Sequence, residues 1–280
     1  MSKRKVEHGR VNDEESILKT AWPDYLLGLV TLSSLGLAVA SLFPATGLQS
    51  NGLWIDALFL VLLTVGTSLS LARQLPWQNV LAVIAVIAII GGGIHALGVS
   101  FAIPFGPFIF NDNAGPRIAG ILPWCIPFLW VAMVLTARGV ARLMLRPWRK
   151  ARIYGFRLIG MTIALTMLLD MAFDPFATKT LDLWIWTKTK LPLTWHGAPI
   201  VSFISWGAVT LFLLAFTTPA LIRKQPGQKT GPDYHPLIVW EGLIVWFGIG
   251  AAMAGLWTAV ALDAVLGTAV LFFAIRGARW

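Results

Sequence analysis

IHALGVSFAIPFGPFIFNDNAGPRIAGILPWCIPFLW, residues 94–130, separates two long apolar runs, and the manner of that separation decides the fold. One run ends near His95 and Gly98, and another begins near Gly120. Between them lie Asn111, Asp112, Asn113 and Arg117, with Gly106-Pro107 and Gly115-Pro116 on either side of the first three. Proline supplies no backbone donor and disfavours helix in the residue before it, so both pairs mark breaks. In hydrocarbon every backbone N–H and C=O needs a partner. A polar, broken segment between two membrane-length runs therefore survives only where protein or a water-filled cavity shelters it. This is the stretch where chemistry is expected first.

Composition points to the membrane as well. Of 280 residues, 57% are hydrophobic and 12% charged, against roughly 25% charged in a soluble domain. The expected fold is all-α: a polytopic bundle of transmembrane helices over residues 22–280, preceded by a polar cytoplasmic segment, 1–21. A crossing needs about 20 apolar residues. The runs that supply them are 23–43, 53–72, 78–98, 121–145, 154–173, 199–222, 236–254 and 257–275. Because the first run is long enough to span, it reads as a retained helix rather than a cleaved signal peptide. The last two runs form one apolar stretch, twice the length a single span needs. Gly250, Gly255 and Thr258 suit a tight turn within it, and a seven-span reading is the alternative.

Charge orients the bundle. With eight spans, 18 of the 22 lysines and arginines fall on one side, and only Arg117, Lys179, Lys188 and Lys190 on the other. The positive-inside bias of loops then makes both termini cytoplasmic. That is the pattern of an integral, multi-pass protein of a bacterial inner (plasma) membrane. Seven spans would move only Arg276 and Arg279. The same bias accounts for the net charge of +9 without nucleic acid as a partner. Arg138, Arg142 and Arg146 lead into the P-W-R-K-A-R group ending at Arg152. This cluster reads as a topology signal against anionic headgroups, with specific lipid or nucleotide binding as the alternative. Cys125 is the sole cysteine, which excludes an internal disulfide, and no Cys/His metal spacing exists.

Ionisable groups inside spans are costly and mark sites. Asp170 and Asp174, in M-L-L-D-M-A-F-D-P, are spaced i, i+4 and so share one face of the fifth span, which Pro175 is expected to end. Beyond it, Asp182, Trp184, Trp186, Trp195 and His196 lie in a segment that suits an interfacial or re-entrant piece, or simple tryptophan anchoring at the membrane surface. Eight spans bring His95, Asp112, Arg117, Asp170, Asp174 and His196 toward the same non-cytoplasmic half, with Asp56 and Asp263 near that side. Two carboxylates one helical turn apart in a low-dielectric site cannot both ionise comfortably, so one is a candidate general acid. Asp170, a turn deeper than Asp174, is the expected proton donor. A purely structural aspartate, bonded to loop amides or to Arg117, is the competing reading. Glu241, on the cytoplasmic side of the seventh span, reads as a packing residue.

Several enzyme classes are excluded by spacing. Asn111-Asp112 begins like the metal-diphosphate motif of membrane prenyltransferases, but Gly115 occupies the place of the second acid. There is no P-loop, no G-x-S-x-G and no H-x-x-x-H cluster.

From this stretch onward the chain resembles the membrane carotenoid-biosynthesis family that includes the carotenoid 1,2-hydratases and bisanhydrobacterioruberin hydratases. The match runs through Gly98, Pro104, Phe105, Gly106, Gly115, Pro116, Gly120, Pro123 and Trp130, then Leu169, Asp170, Asp174 and Pro175, then His196, Gly197, Pro199, Phe203 and Trp206. It covers roughly residues 78–222. The family's glutamate is His95 here, its two tyrosines are Phe108 and Phe110, and its late asparagine falls at Ser202 or Phe203.

The resemblance implies a hydro-lyase-type enzyme that adds water to a terminal C=C of an acyclic carotenoid by acid-catalysed carbocation chemistry, with no cofactor and no metal. Asp170, Asp174 and His95 would be its catalytic groups. Phe105, Phe108, Asp112, Arg117, Trp184, Trp195 and His196 would form the substrate site, the faces of Phe105, Phe108, Trp184 and Trp195 stabilising a cation. Its partners would be a lipophilic polyene arriving laterally from the bilayer, membrane lipid, and a complex with other membrane proteins of the carotenoid pathway. A non-catalytic carotenoid-binding or assembly subunit, and a proton-coupled transporter using the aspartates, are the alternatives.

Overall fold

The computed structural model describes residues 25–43, 55–187, 193–222 and 231–280, with side chains of the second helix from Leu58 onward. The polar segment 1–21, Lys188, Lys190, residues 223–230 and the Asp56 side chain lie outside the described residues.

Among the described residues there are eight α-helices, one for each apolar run: α1 (Tyr25–Ser41), α2 (Ile55–Ala72), α3 (Trp77–Phe101), α4 (Ile126–Met144), α5 (Tyr154–Lys179), α6 (Ile200–Leu221), α7 (His235–Met253) and α8 (Trp257–Ala278). The six from α3 to α8 are each long and apolar enough to cross a membrane. The chain is a multi-pass membrane protein. Large apolar side chains such as Ile89, Phe216 and Phe272 project outward, as a lipid-facing band requires. The long final run is divided by a turn at residues 254–256. Gly255 takes a positive φ of 71° there, and the Leu256 amide closes back on the Ala251 carbonyl at 2.8 Å. With α7 and α8 packed against each other, the eight-helix reading holds over the seven-span one.

The centre of the bundle is α4, which contacts α2, α3, α5, α7 and α8. Every residue from Leu129 to Arg138 is buried, the pattern of a helix surrounded on all faces. Small residues on its neighbours let it sit close. A Cβ placed on Gly91 of α3 would lie 2.6 Å from the Trp130 ring, so any larger side chain there would displace that indole.

The broken stretch after α3 folds as short extended pieces at one end of the bundle. They are β1 (Phe108–Phe110), a 3-10 turn at Asp112–Ala114, and β2 (Arg117–Ile118) paired with β3 (Leu122–Pro123). After α5 come β4 (Trp184–Trp186), β5 (Thr194–Trp195) and β6 (Ala198–Pro199). β1 and β4 form an antiparallel ribbon in which Phe108 faces Trp186, Ile109 faces Ile185 and Phe110 faces Trp184. β5 and β6 form a hairpin whose two turn residues, His196 and Gly197, both have positive φ, as a tight two-residue hairpin turn requires.

Pro175 does not end α5. The helix continues to Lys179 with the proline inside it. A helical proline leaves the carbonyl four residues earlier without its usual donor, here Met171. The Trp195 indole N–H fills that place, donating to the Met171 carbonyl at 2.9 Å. In a membrane protein a proline is tolerated inside a helix when a neighbour satisfies the freed backbone group, and here the hairpin does so.

Candidate active site

Four elements converge at this end of the bundle. α3 supplies His95, α5 supplies Asp170 and Asp174, α6 supplies Ser202 and Trp206, and the β1–β4 ribbon supplies Phe108, Trp184 and Trp186. The ribbon places its rings by strand alternation: in both F-I-F and W-I-W the aromatic residues turn inward, while Ile109 and Ile185 point out and are exposed. The loop before it is pinned by the Ser205 hydroxyl, which donates to the Pro104 carbonyl at 2.8 Å. Phe105 presses so closely on α3 that a Cβ on Gly98 would come within 2.7 Å of its ring.

These groups enclose a small cavity lined by His95, Phe105, Phe108, Asp174, Trp184, Trp186, Ser202 and Trp206. About 10 Å³ of it is open to the centre of a water-sized sphere, roughly what one water molecule needs. The rings close it: Phe108 lies 5.2 Å from Trp186, and His95 lies 4.9 Å from Phe105 and 5.4 Å from Phe108, centroid to centroid. Behind them Trp130 stacks on Trp206 at 3.8 Å. Anything larger than a water therefore enters only if some of these rings part.

Asp170 and Asp174 are each 2% exposed. The Trp186 indole N–H donates to both oxygens of Asp174 at 3.1 Å, tying the ribbon to α5. Asp174 lines the cavity, whereas Asp170, one turn deeper on the same face, has a buried Oδ2 with no hydrogen-bond partner among the described residues. The His95 Nδ1 is in the same condition, packed among Phe105, Phe108 and Phe110. Unpaired buried polar atoms cost about 1–3 kcal/mol each. Two of them lie on residues beside this one aromatic cavity.

Five of the sequence-derived candidates sit elsewhere. Asp112 is fully exposed and lies 3.7 Å from Arg117, whose guanidinium donates to the Phe110 carbonyl at 2.7 Å; this pair braces the outside of the ribbon. Trp195 caps the proline-freed carbonyl of α5. His196, at the hairpin turn, meets the Thr258 hydroxyl at 2.9 Å and so links the hairpin to the start of α8. Its partial burial, with the Lys179 ammonium nearby, holds that imidazole below its ordinary value. Asp263 is buried against Gly248 at the α7–α8 contact. Trp186, Trp206 and Ser202, by contrast, join the site without having been singled out as substrate residues. Trp186 is the partner of Trp184 in W-I-W, and the period of two was the signal that both would face one way. Of the two positions for the family's late asparagine, Ser202 is the one on the cavity.

Comparison with known proteins places the chain in a family. The chain is 27% identical over 243 residues to the bisanhydrobacterioruberin hydratase of Haloarcula japonica, covering 84% of this chain and 78% of that protein. No solved structure matches it. The family described as carotenoid biosynthesis protein matches residues 55–270, a wider span than the motifs alone suggested. Since that match takes in every element that builds the aromatic cavity, this chain belongs to the carotenoid biosynthesis protein family.

Proposed function

We propose that the protein hydrates a terminal C=C of an acyclic carotenoid, using the Asp170–Asp174 pair as its proton source. The observation that carries this reading is the buried carboxyl pair beside a closed aromatic cavity. Holding two buried carboxylates as anions with so few partners costs several kcal/mol per ion, so the pair is taken to carry a proton. Transfer of that proton to the CH carbon of a trisubstituted alkene leaves a tertiary cation on the other carbon. The faces of Phe105, Phe108 and Trp184 suit that cation, at about 2 kcal/mol or more per desolvated contact. One water then adds to the cation and returns its surplus proton to the carboxylates, so the net change is one water added and the acid is regenerated. Ser202 and His95 lie where they can orient that water. Neither redox chemistry nor a leaving group is involved.

A non-catalytic carotenoid-binding subunit is the second reading, favoured by Phe108 and Phe110 standing where the family has tyrosines. The discriminating experiment is expression in a host that accumulates an acyclic carotenoid such as lycopene, with pigments analysed by mass for one added water. Hydrated pigment with the wild type, absent with Asp170→Asn and Asp174→Asn, supports the hydratase. Pigment retained equally by wild type and variants, and never hydrated, supports the binding subunit.

A further inference from the structure

The opposite end of α4 carries a second built cavity that the proposed chemistry does not use. Arg138, Arg142, Arg146 and Arg149 line it with Tyr154 and Asp233, around a space of about 170 Å³ open to a water-sized sphere. One water needs roughly 10–15 Å³ on that measure, so a polyatomic group fits. Arg138 is only 6% exposed, an unusual position for a guanidinium, and it spends one N–H on the Leu221 carbonyl at 3.2 Å. The buried Nε of Arg146 has no partner among the described residues.

The charge around this cavity is not balanced. Among the described residues Asp233 is its sole carboxylate lining, against four guanidiniums. Its oxygens are already occupied by the Ser70 hydroxyl, the Gln74 amide and the His235 backbone N–H. A topology signal needs positive charge near the surface, but it does not need a buried arginine aimed into a polar cavity. Several planar guanidinium forks converging on one space match the oxygens of a phosphoryl group, which can accept two parallel bonds from each.

We propose that this cavity binds a phosphate or diphosphate group. A neighbouring groove of about 670 Å³, walled in part by Leu27, Leu32 and Ile238, shares Gln74, Gly231 and Asp233 with it. An amphiphile could thus seat its phosphate among the arginines and its chain between α1 and α7. The phosphate is therefore either a lipid headgroup or a free ion, and the test separates the two.

The full chain, purified in non-ionic detergent and stripped of lipid, is followed by thermal unfolding while inorganic diphosphate or short-chain phosphatidate is added, with potassium chloride at matched ionic strength as reference. The expected result is a saturable rise in the midpoint beyond that in chloride. Saturation by diphosphate shows that the ion alone suffices, whereas saturation by phosphatidate alone identifies a lipid-borne group. Arg142→Gln with Arg146→Gln should weaken the effect about tenfold or more, as loss of hydrogen bonds to charged groups does. Where that double variant does not fold, Arg149→Gln at the exposed rim takes its place. Arg152→Gln removes the same charge at the same end of the bundle but outside the cavity, and should leave the response unchanged. The proposal is overturned if neither ligand saturates, or if Arg152→Gln weakens the response as much as the cavity variants do.

Discussion

Trp186 donates its indole N–H to both oxygens of Asp174, so a side chain on a loop strand helps hold the carboxylate that faces the cavity. Trp186→Phe keeps an aromatic ring, though a smaller one, and removes that donor. A hydrogen bond to a charged group contributes about 1.5–3 kcal/mol, so hydration should fall about tenfold or more while pigment retention stays unchanged. Loss of retention instead would make Trp186 a packing residue. Asp170 is a turn deeper and does not line the cavity, so its proton would reach the substrate by way of Asp174. Asp170→Asn preserves size and hydrogen-bonding capacity but removes the transferable proton, and the loss of a general acid is expected to reduce turnover about 10²-fold or more. Measured pigment conversion by this variant at the wild-type level would leave the proton donor to Asp174 or His95.

The elements around the site depend on each other over long sequence distances. Trp195 repairs the gap that Pro175 makes in α5, and that contact keeps Asp174 on a continuous helix. Trp195→Phe should therefore destabilise the protein by about 1–3 kcal/mol, the cost of an unsatisfied buried carbonyl. Pro175→Ala restores the missing backbone donor, so the same tryptophan change should cost less in that background. Denaturation of the two single variants and the double variant measures the coupling, and additive effects would refute the link. The sequence could not show this contact. Proline signals a helix end locally, and the compensating donor sits in a hairpin beyond β4. The spans were legible because each is a long apolar run, a property of local composition. The F-I-F and W-I-W alternations were equally visible, but not their pairing with each other, which joins the segment after α3 to the segment after α5 across a long sequence separation. Asp112, Arg117 and His196 were placed near the right end of the bundle and not at the cavity, because span counting locates a residue along the membrane normal and not around it.

At the scale of the whole molecule the two ends of the bundle are chemically unlike. One carries the aromatic cavity, with Arg117 and Lys179 as its described cations; the other gathers Arg73, the Arg138–Arg157 group, Arg276 and Arg279. Cationic loops resist translocation, so the arginine end is expected in the cytoplasm and the aromatic cavity in the outer half of the membrane. Eight helices also return the C-terminus to the side of residues 146–153, which ties the orientation of α8 to that of α4. With Cys125 replaced by serine, single cysteines introduced at Lys150 and Arg279 should label only after the membrane is made permeable to the reagent. One at Asn113 should label in intact cells. External labelling at Lys150 would invert the whole assignment, because the helices between these points are fixed in number and no loop could change sides alone. It would also turn the aromatic cavity toward the cytoplasm. The proposed hydration would survive such an inversion, since its lipophilic substrate would arrive from the bilayer. The phosphate site would gain access only to ligands outside the cell, so the same labelling decides which pool of phosphate that cavity can meet.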